Sequence, residues 1–334
     1  MTLQTDMSIK PHDRLQAALS DDLIAVNALI RERMASENAP RIPEVTAHLV
    51  EAGGKRVRPM LTLAAARLCH YDGIYHIHLA STVEFIHTAT LLHDDVVDES
   101  EQRRGRPSAN LLWDNQSSVL VGDYLFARAF QLMTEPARMD VLRVLSDAAA
   151  TIAEGEVLQL SASQNLATTE ATYLKVVRGK TAALFSAATQ VGGMIADAPD
   201  DVVKALFTYG DALGVSFQIA DDVLDFGGLS AQTGKNIGDD FREKKLTLPL
   251  IKAIAKANGT EKAFWTRTIE KGQQGDGDLE QCLELLHQHG ALEEARQEAF
   301  GWAGKARQAL ADVPEHPLTD MLADLSDYVV SRIN

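Results

Sequence analysis

The chain has 334 residues, with 32 Lys and Arg against 47 Asp and Glu and a formal net charge of −15. So acidic a chain lacks the phosphate-neutralising charge that general nucleic-acid binding requires, and 46% hydrophobic with 24% charged residues is a globular composition that excludes wholesale disorder. Two cysteines, Cys69 and Cys282, are too few for a disulfide framework and too far apart for a zinc spacing, which points to a reducing cytoplasm.

Along the chain, MTLQTDMSIKPHDRL has no apolar signal-like core, and no run reaches about 18 uninterrupted apolar residues, so neither a signal peptide nor a membrane span is expected. Apolar residues recur at helical spacing from His78 to Leu92, Gly122 to Met133, Asp140 to Leu160 and Val202 to Phe226. Gly and Pro fall between these stretches, at Gly53-Gly54, Arg106-Pro107, Ala198-Pro199, Gly227-Gly228 and in GQQGDGD from Gly272 to Asp278. Convincing alternating strands are absent. The reading is all-α. Length alone suggests two domains, but no linker-like stretch interrupts the chain from Pro11 to Met194, so one large domain spanning 1–334 is expected. Its later part, about 272–334, is more polar and reads as a peripheral helical cap.

Two helices end in the same pattern. Asp94, Asp95 and Asp98 form DDVVD after EFIHTATLLH, and Asp221, Asp222 and Asp225 form DDVLD after ALGVSFQIA. Aspartate is a poor helix former and opposes the macrodipole at a helix C-terminus, so two identical placements call for a reason beyond folding. At i and i+4 two carboxylates share one face about 5–6 Å apart and repel. A carboxylate-only set with no Cys or His suits a hard cation such as Mg2+ that keeps waters and shares substrate phosphates. Cations for a bridging anion lie close in sequence: Lys55, Arg56 and Arg58 in a Gly-rich loop, Arg103 and Arg104 after the first triad, Lys180 in mid-chain, and Lys235, Lys244 and Lys245 after the second. Arg and Lys so placed suit diphosphate.

The succession GGKRVRP, EFIHTATLLHDDVVDESEQRRGRPSAN, GKT, FQIADDVLDF and GKNIGDDFREKKLTLPL resembles the trans-isoprenyl (polyprenyl) diphosphate synthases, most of all the octaprenyl and decaprenyl enzymes that make quinone side chains. The resemblance runs in order through the motif-bearing core, about 53–249. It implies an isoprenoid synthase fold, a single helical bundle in which both triads face a central apolar cavity. It implies that Asp94, Asp95, Asp98, Asp221, Asp222 and Asp225 hold about three Mg2+ ions, replaceable by Mn2+. Arg103, Lys180 and Lys235 would take the allylic diphosphate; Lys55, Arg56, His87 and Arg104 the isopentenyl diphosphate; Thr181, Phe217 and Gln218 would line the reacting region. Lys245 would belong to a closing loop, with Lys244 standing where a glycine is common. The implied reaction ionises the allylic diphosphate, adds the isopentenyl double bond and returns a proton to the departing diphosphate, behind apolar walls that keep water out. Ile86, Ala89 and Thr90 lie below the first triad, where small residues would let a long product pass, with Phe126 or Phe130 as a floor. A homodimer and a peripheral membrane contact for product release complete the implied picture.

Other readings explain less. A cyclase on the same fold would pair one Asp-rich motif with an Asn/Ser/Glu metal motif. Glu84-x-x-His87 and Glu284-x-x-His287 match the di-iron carboxylate element, but that reading leaves both triads unused. Gly179-Lys180-Thr181 lacks the first glycine of a P-loop, since position 174 is Leu174. A shorter-chain synthase and a non-catalytic partner subunit remain the functional alternatives.

Overall fold

The apolar periodicity becomes helices almost everywhere in the computed structural model, which describes residues 9–51, 54–103, 105–227 and 237–333. They begin with α1 (Pro11–Ala18), α2 (Ser20–Met34), α3 (Arg41–Glu51), α4 (Val57–Leu68) and α5 (Tyr75–Val97). A short hairpin follows, β1 (Gln102–Arg103) against β2 (Arg106–Pro107), antiparallel with Arg103 opposite Arg106. Then come α6 (Ala109–Leu112), α7 (Asn115–Thr134), α8 (Met139–Ala162), α9 (Glu170–Val177), a π turn at Arg178–Ala182, α10 (Ala183–Ile195) and α11 (Asp200–Gly227). Further helices follow at Asp239–Arg242, Leu248–Lys256, Gly259–Trp265, Asp278–Gln288, Ala291–Ala309 and Pro317–Ser331. The expected all-α architecture is what forms, and among the described residues no helix is long and apolar enough to cross a membrane.

Two compact units divide the chain. One comprises Met1–Ala149, Leu184–Phe207 and Asp312–Leu322; the other comprises Ala150–Ala183, Thr208–Ala311 and Ala323–Asn334.

In the first unit α5 is the central element, packed against α7, α4 and α2. A helix surrounded on several sides must be apolar on most faces, and Leu79, Ala80, Val83, Ile86, Ala89 and Leu92 are all fully buried. Its neighbour α4 is as closely enclosed, with Met60, Leu61, Leu63 and Leu68 without solvent contact. Between α4 and α10 there is no room for a side chain: a Cβ at Gly192 would come within 2.6 Å of the Thr62 carbonyl oxygen. Asp114 caps α7, its side chain accepting from the Ser117 amide at 2.5 Å, which satisfies one of the orphan donors of the first turn.

The second unit is built around the later part of α11 and the helices after it. The helix Ala291–Ala309 buries Ala291, Ala295, Ala299 and Ala303 at four-residue spacing and packs on Leu248–Lys256. Small residues at that spacing let two helix backbones approach closely, and the carbonyl of Ala299 accepts the buried hydroxyl of Ser216 on α11 at 2.9 Å. Lys252, 8% exposed, is compensated by Glu298 at 2.5 Å and Glu170 at 3.0 Å. These contacts give the end of α11, with its second aspartate triad, a rigid support.

Candidate active site

The first triad sits where the sequence places it. Asp94 and Asp95 lie in the last turn of α5 and Asp98 is its C-cap residue, its amide bonded to the Asp94 carbonyl at 2.8 Å. Asp95 is fully buried, and Arg103 of the hairpin donates to its Oδ1 through Nε at 2.7 Å and Nη2 at 2.6 Å. Its other oxygen, Oδ2, is buried with no hydrogen-bond partner among the described residues. Burial pushes the Asp95 carboxyl above its ordinary range; the Arg103 charge pulls it back, and Asp94 and Asp98 push it up again.

The basic loop before α4 has a division of labour invisible in GGKRVRP. Arg56 adopts a left-handed backbone conformation, φ 48°, and its guanidinium pairs with the buried carboxylate of Glu84 on α5. Arg58 lies over the ring of Phe185, 4.6 Å from the centroid, with Nη1 3.2 Å from His87 Nε2. Lys55 is exposed. The cation beside His87 is therefore Arg58 and not Arg56, which is occupied in holding the loop to α5. The same pairing of Glu84 removes the di-iron element, whose second copy, Glu284 and His287, is exposed.

In the second unit a run of side chains joins the GKT sequence to the second triad. Thr181 Oγ1 donates to Gln218 Oε1 at 2.8 Å, and Gln218 Nε2 donates to Asp222 Oδ1 at 2.9 Å. Asp222 Oδ2 accepts from the hydroxyl of Tyr173 at 2.5 Å. Asp225 accepts from the Asp240 amide at 3.1 Å, tying the end of α11 to the next helix. Burial pushes the Asp222 carboxyl up to about 7, against the hydrogen bonds from Tyr173 and Gln218 and with the added repulsion of Asp221 and Asp225. Lys180 Nζ donates to Glu156 Oε2 at 2.9 Å. Lys245 pairs with Glu243 at 2.6 Å, and Lys244 is left-handed at φ 58°, a conformation that glycine adopts without strain. Among the described residues no three His, Cys, Asp or Glu side chains are drawn together as metal ligands.

Residues 39–286 match the polyprenyl synthetase family model. The chain belongs to the polyprenyl synthetase family. It is 43% identical over 320 residues to the octaprenyl diphosphate synthase of Escherichia coli (strain K12), covering 96% of this chain and 98% of that protein. The crystal structure of a decaprenyl diphosphate synthase from Rhodobacter capsulatus superposes with a TM-score of 0.94 at 70% identity, over 97% of this chain and all of that one. A polyprenyl synthase from Caulobacter crescentus CB15, solved with calcium and isoprenyl diphosphate, gives a TM-score of 0.92 at 48% identity, over 97% and 98%.

Among the expected site residues, the structure gathers Asp95 with Arg103, and Asp222 with Gln218 and, through it, Thr181. Arg104 and Lys235 lie outside the described residues. Below the first triad Ile86 and Ala89 are fully buried, and Thr90 turns its hydroxyl back to the His87 carbonyl at 2.8 Å. Phe126 stacks on His93, centroids 6.4 Å apart, whereas Phe130 is 45% exposed and so lies outside the core. The sequence places Arg58 among the basic-loop cations without separating it from Arg56, and only the fold shows what Arg58, Glu156 and Tyr173 each touch; Tyr173 carries no local signal.

The raised Asp222 sets a stability prediction. The native carboxyl holds its proton to about pH 7, while the unfolded chain releases it near 3.8. Between those values folding takes up a proton, so stability falls as the pH rises. Asp222→Asn removes that cost, and the metal-free variant is expected to unfold at a higher temperature than the parent at about pH 8 and at nearly the same temperature at about pH 4. Equal unfolding temperatures by calorimetry at both would show that the buried charge carries no such cost.

Proposed function

We propose that this protein is a long-chain trans-polyprenyl diphosphate synthase of the octaprenyl to decaprenyl class, adding isopentenyl diphosphate repeatedly to an allylic prenyl diphosphate to build a quinone side chain. The observation that carries the reading is the repeated DDxxD at two helix ends, each with a buried carboxylate, Asp95 held by Arg103 and Asp222 by Tyr173 and Gln218, on a chain 70% identical to a decaprenyl diphosphate synthase.

The residues fit a hard divalent cation. The donors are carboxylate oxygens, and Asp95 Oδ2 is buried without a hydrogen-bond partner among the described residues, an arrangement whose cost a cation would relieve. The Caulobacter relative's calcium is consistent with such a site. In the first unit Asp94, Asp95 and Asp98, and in the second Asp221, Asp222 and Asp225, would hold Mg2+, about three ions in all. Bound Mg2+ neutralises charge developing on the leaving diphosphate. In the second unit Lys180 binds the allylic diphosphate as it gains charge, while in the first Arg103 holds Asp95 and Lys55, Arg58 and His87 bind isopentenyl diphosphate. Arg56 fixes the loop that carries them. Thr181 and Gln218 line the reacting region, and the buried apolar faces of α5 keep water from the cationic intermediate.

The exposed apolar face of α6 and α7 supports a homodimer. Leu111, Leu112, Leu120 and Phe130 are between 45% and 66% exposed, apolar side chains of the kind a subunit interface covers. Leu120→Asp is expected to shift the protein from dimer to monomer in sedimentation velocity; a parent that sediments as a monomer rules the homodimer out.

Incubating the protein with isopentenyl diphosphate, farnesyl or geranylgeranyl diphosphate and Mg2+ should give products of about eight to ten isoprene units, and none with chelator. Asp94→Ala and Asp221→Ala should each lower turnover by a factor on the order of 10³ or more with little change in unfolding temperature. Ala89→Phe should shorten the product by filling the space below the triad; unchanged length on thin-layer analysis refutes that assignment. A product ending at three or four units identifies a short-chain synthase, and no elongation with any primer identifies a non-catalytic subunit.

The two arginines of the loop separate cleanly. Arg56→Ala leaves Glu84 buried and unpaired and should cost about 3 kcal/mol of stability, whereas Arg58→Ala should raise KM for isopentenyl diphosphate on the order of tenfold at little cost in stability. The reverse pattern would return the substrate contact to Arg56.

A further inference from the structure

The run Ala153-Glu154-Gly155-Glu156-Val157-Leu158-Gln159-Leu160 on α8 has no part in the roles assigned above, yet it is the segment that meets the turn carrying Lys180. Residues Arg178–Ala182 form a π turn between α9 and α10. Such an insertion aims side chains in directions a regular helix does not offer. Opposite it, α8 and the turn touch backbone to backbone. A Cβ at Gly155 would lie 2.6 Å from the Lys180 amide nitrogen and 2.8 Å from the Gly179 carbonyl carbon; a Cβ at Gly179 would lie 2.8 Å from Gly155 Cα and 3.1 Å from the Thr151 carbonyl oxygen. Both glycines are required for that approach, and both are buried. One residue further along α8, Glu156 takes the Lys180 ammonium at 2.9 Å, with side chains 27% and 26% exposed. From another direction Thr181 is bonded to Gln218. The turn is therefore held by a backbone contact, an ion pair and a hydrogen bond, and Lys180 can reach only as far as that clamp allows.

An ammonium placed for an anionic substrate is costly to leave partly buried and unpaired. Glutamate answers that cost with one negative charge, while a diphosphate brings several and displaces it. We propose that Glu156 is a positioning residue that holds the Lys180 ammonium between turnovers, yields it to the diphosphate of the allylic substrate and reclaims it as inorganic diphosphate leaves, with the Gly155–Gly179 contact setting the reach of Lys180. This inference rests on the diphosphate-binding role of Lys180 proposed above. Its physical content is competition. A carboxylate beside the ammonium both occupies it and repels the incoming anion, so it weakens ground-state diphosphate binding and favours release.

Glu156→Gln keeps the shape and removes the charge. It is expected to strengthen inhibition by inorganic diphosphate about three- to tenfold and to lower KM for the allylic substrate in the same direction, with KM for isopentenyl diphosphate unchanged. Glu156→Asp, which keeps the charge, should restore inhibition toward the parent value. A merely structural role for Glu156 would weaken binding and would not be rescued by charge. Gly155→Ala should push the π turn away from α8, raising the allylic KM and weakening diphosphate inhibition about tenfold while the isopentenyl KM stays as it was. Unchanged or weaker diphosphate inhibition in Glu156→Gln overturns the proposal. Lys180→Ala separates the two levels: if it weakens diphosphate inhibition while Glu156→Gln does not strengthen it, only the exchange fails. If Lys180→Ala leaves inhibition unaltered, the diphosphate role of Lys180 fails with it.

Discussion

Carboxylates buried at the C-terminal ends of apolar helices are the constraint around which both units are arranged. Each such group loses hydration, faces the negative end of a helix dipole and sits beside two others of the same charge. Asp95 is fully buried and Asp222 is 4% exposed, and burial is the largest influence on both, pushing each toward its protonated form. Neither helix gains stability from this placement. It persists because surrounding groups partly compensate it, Arg103 at one end and Tyr173 with Gln218 at the other.

Compensation of this kind is local, and it explains how an acidic protein can handle diphosphates. The net charge of −15 is a property of the whole surface, whereas among the described residues Arg56, Arg58, Arg103, Lys180 and Lys245 are each paired with a particular acid or stacked on a particular ring. Arg56 is engaged with Glu84, Lys180 with Glu156 and Lys245 with Glu243, while Arg58 rests on Phe185 beside His87. An exchange of such partners for substrate phosphates changes contacts without requiring the protein to expose bare charge at any stage. Arg and Lys differ usefully here: the planar Arg56 can be locked into a buried pair, while the flexible Lys180 can change partners.

Support for these ends comes from close backbone approach. Gly192 admits α10 against α4 in the first unit, and Gly155 meets Gly179 in the second. In the helix Ala291–Ala309 a four-residue spacing of alanines does the same for the elements behind α11. Small residues thus serve as spacers that determine where larger functional side chains end up, which is why a polar, plainly amphipathic stretch near the end of the chain contributes to the core of its unit.

Much of this was legible from the chain alone. Helical periodicity identified α5 and α11, and two DDxxD runs following apolar helices marked the candidate metal ligands, because aspartate there is unfavourable unless used. Order and spacing of the basic motifs pointed to the family. What sequence could not decide was which of several equivalent neighbours makes a contact. Arg56 and Arg58 are two residues apart and chemically identical, and only the left-handed turn at Arg56 and the burial of Glu84 separate the loop anchor from the cation at His87. Tyr173 reaches Asp222 across 49 residues of chain, and Glu156 reaches Lys180 across 24. Residue type and period are local properties, so the sequence by itself determined the helices, the triads and the chemistry they suit; partner choice depends on distances between segments remote in the chain, and only the tertiary structure decided it.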